Sequence, residues 1–214
     1  MTKRVAAVLA ALAVLAALVV LQTVAGDGSS RGVRLLRQPD GSMVLADTGA
    51  SAPVLDLYED FDCPVCKDLH TRVDATIRRL AAAGKVKVVY HPVTIFQDEP
   101  MHSNSVRAAA AARCVPEDNW LAFRDELYGM QPAPHGVASG FTLEELARAA
   151  RQAGASVDQC VTSQTYAEDH LKQSARIRLE GTPTVVLDGQ LLGAEAFDPK
   201  ALEAAITGGS GVTV

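Results

Sequence analysis

The stretch Tyr58-Glu-Asp-Phe-Asp-Cys63-Pro64-Val65-Cys66-Lys-Asp-Leu-His70 decides how the rest of the chain is read. Its two cysteines stand astride the point where an extended run gives way to helical spacing. Cys66, Leu69, Val73, Ile77 and Leu80 recur at intervals of three and four, and Gly84 is a fitting stop. Val54, Leu55, Leu57 and Tyr58 before the pair, and Val86, Val88 and Val89 after Gly84, are short apolar runs of strand type. The spacing therefore predicts strand, helix, strand, with a Cys-x-x-Cys pair at the first junction.

That junction suits thiol chemistry. At a helix N-terminus the unpaired amides and the helix dipole stabilise negative charge, so the first cysteine is more easily a thiolate. A two-residue spacer lets the second sulfur close a disulfide and resolve a mixed one. Pro64 falls at the first helical position, where its missing amide proton costs nothing. The plainer readings are half of a zinc site or an inert structural pair. Zinc would want a second close Cys or His pair, and the other cysteines, Cys114 and Cys160, are 46 residues apart.

Working outward, Val33–Leu36 and Met43–Leu45 flank Pro39-Asp40-Gly41-Ser42 and predict a small hairpin at the sheet edge. From Met101 to about Arg178 the pattern is helical. Ser103 or Asn104 is a candidate cap for an alanine-rich helix ending near Arg113, and Trp120, Phe123 and Leu127 form a second apolar face. Thr142-Leu-Glu-Glu145 and Ser156-Val-Asp-Gln159 read as capping boxes, and Tyr166 to about Leu179 as a longer helix. Strand character returns at Thr184-Val-Val-Leu187, with the turn Asp188-Gly189 leading into Gln190-Leu-Leu192. A last helix is expected from Asp198 to Ile206.

The expected organisation is a targeting segment over 1–25, a linker and hairpin over 26–50, a first α/β half over 51–100, a helical insertion over 101–178 and a second half over 179–214. Lys3 and Arg4 precede the apolar run Val5–Leu21, whose seventeen residues would span about 26 Å as a helix against a hydrocarbon core of about 30 Å. This favours an uncleaved membrane anchor with the remainder outside, although Thr23-Val24-Ala25 offers a cleavage triplet. A net charge of -5 over 214 residues, with no basic stripe, argues against nucleic acid as a partner.

A second constellation is Gly181-Thr182-Pro183-Thr184. A proline opening a strand is often an edge device. Taken with Cys63-Pro-Val-Cys66, it makes the chain resemble a DsbA-like thiol–disulfide oxidoreductase of the thioredoxin superfamily, and in its anchor and extra cysteines the actinobacterial membrane-attached forms. The matching residues are Phe61–Cys66, Tyr90-His91-Pro92-Val93, the helix carrying Arg107 to Arg113, and Gly181–Thr184, within about Pro53 to Ile206. The resemblance implies a thioredoxin-like α/β fold with a helical insertion domain. It makes Cys63 the exposed nucleophile, Cys66 its buried partner, and Pro183 a cis-proline facing them, with Thr182 contacting substrate. It further implies unfolded exported cysteine-containing proteins as substrates and a membrane quinone-linked reoxidase of DsbB or vitamin K epoxide reductase type; no bound cofactor is implied.

The active-site dipeptide Pro64-Val65 departs from the Pro-His of strongly oxidising relatives, since valine offers no hydrogen bond to a thiolate. Glu59, Asp60 and Asp62 would raise the thiol pKa, muted by solvation. A less oxidising pair is therefore expected, which keeps reductase or isomerase chemistry open. A module using the same cysteines for metal delivery is a rival of another class.

Cys114 and Cys160 read as a structural disulfide pinning the insertion shut, with a second redox couple as the sharper alternative. His70 and His91 stand where they could tune a thiolate, though a surface or capping role is commoner. His102, His135 and His170 have no motif around them, 131–136 reads as an exposed loop, and the charges of the insertion read as its solvated face.

Overall fold

The computed structural model describes residues 32–47, 51–131 and 141–208. The expected anchor over 1–25, most of the tether after it, and His135 with most of its loop lie outside the described residues. No described helix is long and apolar enough to cross a membrane.

Six strands form one sheet: β1 (Val33–Arg37), β2 (Met43–Asp47), β3 (Val54–Glu59), β4 (Lys87–Pro92), β5 (Thr184–Leu187) and β6 (Gln190–Leu191). Their order across the sheet is β1-β2-β4-β3-β5-β6. Among the described strands only β3 and β4 pair in parallel, with Leu57 opposite Tyr90, and α1 (Pro64–Ala82) makes the crossover between them. The apolar stripe of α1 buries Cys66, Leu69, Val73, Ile77 and Leu80 against the sheet, and Gly84 at φ +64° turns the chain into β4. The β1–β2 hairpin stands at the edge, bonded through β2 to β4. Its turn closes under α2 (Met101–Cys114): Gly41 has φ +87°, the Arg113 guanidinium fills the place a Cβ would take, and Arg113 Nη2 donates to the Asp40 carbonyl at 2.6 Å.

Among the described residues five helices lie between β4 and β5: α2, α3 (Glu117–Gly129), α4 (Leu143–Gln152), α5 (Asp158–Thr162) and α6 (Ala167–Ser174). A 3-10 turn (Ala194–Phe197) and α7 (Pro199–Gly208) follow β6. The buried alanines Ala108 to Ala112 let α2 approach its neighbours closely, while Trp120, Phe123 and Leu127 of α3 are buried in the core, where Trp120 meets Tyr90 of β4 with ring centroids 5.4 Å apart.

Three expected details differ, and one capping box is as expected. Helix α2 starts at Met101, so Ser103 and Asn104 lie inside it; the Glu99 carboxylate, bonded to the Ser103 amide and hydroxyl, takes over the capping. Thr142 and Glu145 form a reciprocal capping box. Ser156 and Gln159 do not, because α5 begins at Asp158 with Val157 as its cap, which shifts Gln159 out of the third position. Helix α6 ends at Ser174, whose hydroxyl is spent on the Thr94 backbone, and the chain then turns toward β5.

Cys114, ending α2, is joined to Cys160 of α5 by a disulfide of 2.07 Å that closes a loop of 46 residues. In the chain-entropy model such a loop stabilises the fold by about 4 kcal/mol. Replacing both cysteines with alanine should lower the urea midpoint accordingly and steepen the slope, because the unbridged unfolded chain exposes more surface. A loss under about 1 kcal/mol would show that the bridge does little to restrict the unfolded chain.

Candidate active site

The site lies where β3 leaves the sheet. Cys63 caps α1 with extended backbone (φ -78°, ψ 119°), Pro64 occupies the first turn, and no side chain caps the helix. The sulfur therefore takes the place of a capping oxygen over the free amides. Across from it the Thr182–Pro183 peptide is cis, and the Cys63 thiol donates to the Thr182 carbonyl at 3.3 Å. Two elements 119 residues apart thus meet at one sulfur.

Both active-site cysteines are free thiols, and both are buried, Cys63 at 4 % and Cys66 at 1 % exposure. The expected exposed nucleophile is thus corrected: the Thr182 backbone stands against the Cys63 sulfur, and Pro64 and Val65 are presented to solvent instead, Val65 at 48 %. The two thiols are pushed apart electrostatically. Hydrogen bonding from the Cys66 thiol, outweighing burial and joined by Thr182 and the amides of Cys66 and Val65, brings Cys63 down to about 6. Burial, then its bond to Cys63, pushes Cys66 well above the usual thiol range.

The acidic residues upstream are a second correction. Glu59, Asp60 and Asp62 are 2 %, 0 % and 0 % exposed, so solvent does not mute them; the helices following β4 do. The Arg124 guanidinium grips the Glu59 carboxylate with two bonds of 2.7 Å. Arg124 also donates to Asp74 at 2.6 Å and to His70 Nδ1 at 2.8 Å, and lies over the rings of Tyr90 and Tyr128. Asp60 accepts from the Ser105 hydroxyl at 2.6 Å and from the amides of Ile95 and Asp62, yet burial raises its carboxyl to about 7, with the Cys63 charge adding to the rise. Asn104 reaches Asp62 at 3.4 Å. Gln131 donates from Nε2 to the carbonyls of Phe61 and Cys63, at 2.7 and 3.0 Å.

Arg124 is accordingly no part of a solvated face, and it was findable. Trp120, Arg124, Leu127 and Gln131 follow one another by three and four, so one stripe of α3 continues past its end. Asn104 is read in the sequence only as a candidate cap and Ser105 not at all, because an alanine-rich helix gives little contrast between its faces.

The histidines take supporting places. His91 bonds Asp56 at 2.8 Å and stacks on Tyr58, and His102 bonds the Phe96 carbonyl at 2.8 Å. His170, 1 % exposed, meets the Thr94 hydroxyl at 2.9 Å, and burial, reinforced by Arg113, lowers it to about 3. Among the described residues His70, Asp74 and Asp125 have ligand-like spacing, within 4.8 Å of one another. Arg124 and Arg78 already occupy those carboxylates, and neither active-site cysteine belongs to the group.

The family model described as Thioredoxin matches residues 40–207. Among solved structures, the reduced disulfide bond oxidoreductase DsbG of Mycobacterium tuberculosis is 30% identical, with 90% of this chain and 93% of that one covered and a TM-score of 0.69. Reduced DsbA from the same organism is 29% identical, with 86% and 90% covered and a TM-score of 0.68. The serine/threonine-protein kinase PknE of M. tuberculosis is 27% identical over 164 residues, which take in 70% of this chain and 29% of the kinase. The chain thus matches under a third of that curated relative's length.

Proposed function

The chain belongs to the thioredoxin family and is a DsbA-like thiol–disulfide oxidoreductase, and on that premise we propose that it introduces disulfides into exported proteins by exchange at Cys63 and Cys66. The observation that carries this reading is the Cys63 sulfur, held on a helix tip against the cis Thr182–Pro183 peptide with its thiol brought down to about 6.

In the oxidised form a substrate thiolate attacks the Cys63 sulfur. The bond to Cys66 breaks and its electron pair leaves on Cys66, which takes up a proton because burial disfavours its thiolate. A second substrate thiolate then attacks the substrate's own sulfur in the mixed disulfide. Cys63 leaves as a thiolate, and its low pKa makes it a good leaving group. The substrate gains a disulfide, and its two electrons rest on Cys63 and Cys66. The Thr182 backbone, opened by the cis bond, is the place for an extended substrate segment to lie. Regeneration falls to a membrane quinone-linked acceptor of DsbB or vitamin K epoxide reductase type. We place the domain outside the cytoplasm, tethered by the N-terminal apolar segment; the Cys114–Cys160 disulfide agrees with an oxidising compartment.

Stabilising a thiolate stabilises the reduced form. Lowering a thiol from its ordinary value of about 9 to about 6 is worth about 1.4 kcal/mol at neutral pH, or roughly 30 mV toward oxidising power. The sign follows from the direction of the shift: the gain is complete above the ordinary thiol pKa and is lost as pH falls through about 6. Equilibration with glutathione should place the pair clearly above the potential of about -270 mV typical of thioredoxin. A value at or below that figure would favour the reductase reading, to which Pro64-Val65 lends its weight, since exposed Val65 offers the thiolate no side-chain donor.

A further inference from the structure

We propose that Gln131 is a positioning residue for the reacting sulfur, its single amide nitrogen holding the backbone on both sides of Asp62 and so fixing where Cys63 stands on the helix tip. The inference rests on the reading of Cys63 as the sulfur that exchanges with substrate.

Gln131 lies two residues beyond α3, just past its cap Met130, and is 7 % exposed. Its Nε2 carries two hydrogens and spends them on two carbonyls, Phe61 at 2.7 Å and Cys63 at 3.0 Å. The Cys63 carbonyl is also the acceptor of the first helical bond, from the Lys67 amide at 3.2 Å. Fixing that carbonyl fixes ψ of Cys63, and ψ sets the direction of the Val65 and Cys66 amides relative to the sulfur. Those amides and the Thr182 carbonyl are the partners the sulfur needs in its charged and neutral forms. Cys63 has no side-chain cap to do this locally, so a residue from beyond α3 does it instead. Methionine has the same length but no hydrogens to give. An ionised glutamate accepts only and would face two carbonyl oxygens.

The test follows the ultraviolet absorbance of the thiolate against pH in the reduced full chain, for wild type and Q131M. With the amide gone, the thiolate population at about pH 5 should fall roughly tenfold, a rise of one unit in the midpoint. Alkylation of Cys63 by iodoacetamide should slow in proportion. The C114A/C160A protein serves as control: it loses stability but keeps the wild-type titration. A Q131M curve superimposable on wild type, whatever its melting temperature, would make Gln131 a structural residue only and overturn the inference. Should Q131M fail to fold, wild type still decides. Its Gln131 side-chain amide protons should resist solvent exchange and shift as Cys63 titrates; exchange at the rate of free glutamine overturns the proposal. A wild-type Cys63 titrating at the ordinary thiol value would instead remove the functional reading beneath it.

Discussion

Replacing Cys63 with serine should reduce oxidation of a reduced, unfolded substrate by roughly a thousandfold or more, because exchange runs through a thiolate and a serine hydroxyl supplies none at neutral pH. Cys66→Ala should behave differently. It retains the sulfur at the helix tip but removes the partner that expels a stalled substrate, so mixed disulfides through Cys63 should accumulate and be visible by mass spectrometry. The same substitution removes the hydrogen bond that contributes most to lowering the Cys63 pKa, so the trapped form should titrate higher than wild type. If Cys63→Ala trapped the same substrates through Cys66, the roles of the two sulfurs would be reversed. The burial of Cys66 at 1 % exposure and its raised pKa argue against that outcome.

Arg124→Met should be the most damaging single change outside the cysteines. The guanidinium is 2 % exposed and pairs with Glu59 and Asp74 together, so its removal leaves the buried Glu59 carboxylate without its cation while Asp74 keeps Arg78. Breaking a buried pair from one side costs about 3–5 kcal/mol. Glu59→Met should cost less, since Asp74 still balances the arginine. The double variant E59M/R124M should recover much of the loss, because apolar side chains need no counter-charge. Urea denaturation of the four proteins measures the coupling; additive losses would mean that the two charges are not paired in solution.

The pH dependence separates two carboxyls. Burial opposes ionisation of Asp74, but His70, Arg124 and Arg78 more than offset it and hold Asp74 well below the usual range. Its stabilising contribution is present above the ordinary carboxyl pKa of about 4 and is lost as pH falls below it. Asp60, raised to about 7, works oppositely: its contribution is complete below about 4 and is lost as pH rises through 7. Asp60→Asn should flatten the neutral limb of the stability profile and leave the acid limb alone.

The two halves of the site differed in legibility for a physical reason. Cys63 and Cys66 lie on one helix turn, so their spacing carries their geometry. Gly181–Thr184 is a short motif whose meaning depends on a partner far upstream, and it spoke only when joined to the cysteines. Glu59, Asp60 and Asp62 were misread as solvated, because the groups that bury them arrive from α2 and α3, more than forty residues downstream. Arg124 was hidden differently: its spacing put it on the buried stripe, but a charged residue in an apolar stripe is usually assigned to the surface.

Local interactions, complete within a few residues of chain, were written in the sequence: the apolar stripe of α1, the proline in its first turn, the Asp188-Gly189 turn and the Thr142–Glu145 box. The environment of the sulfur was decided only when the chain closed on itself. A thiol's charge depends on which dipoles and side chains stand within a few ångströms of it, and here those come from Thr182, across the sheet, and from Gln131, Arg124 and Ser105 beyond β4. Periodicity fixes which way a residue faces, but not what it will meet there.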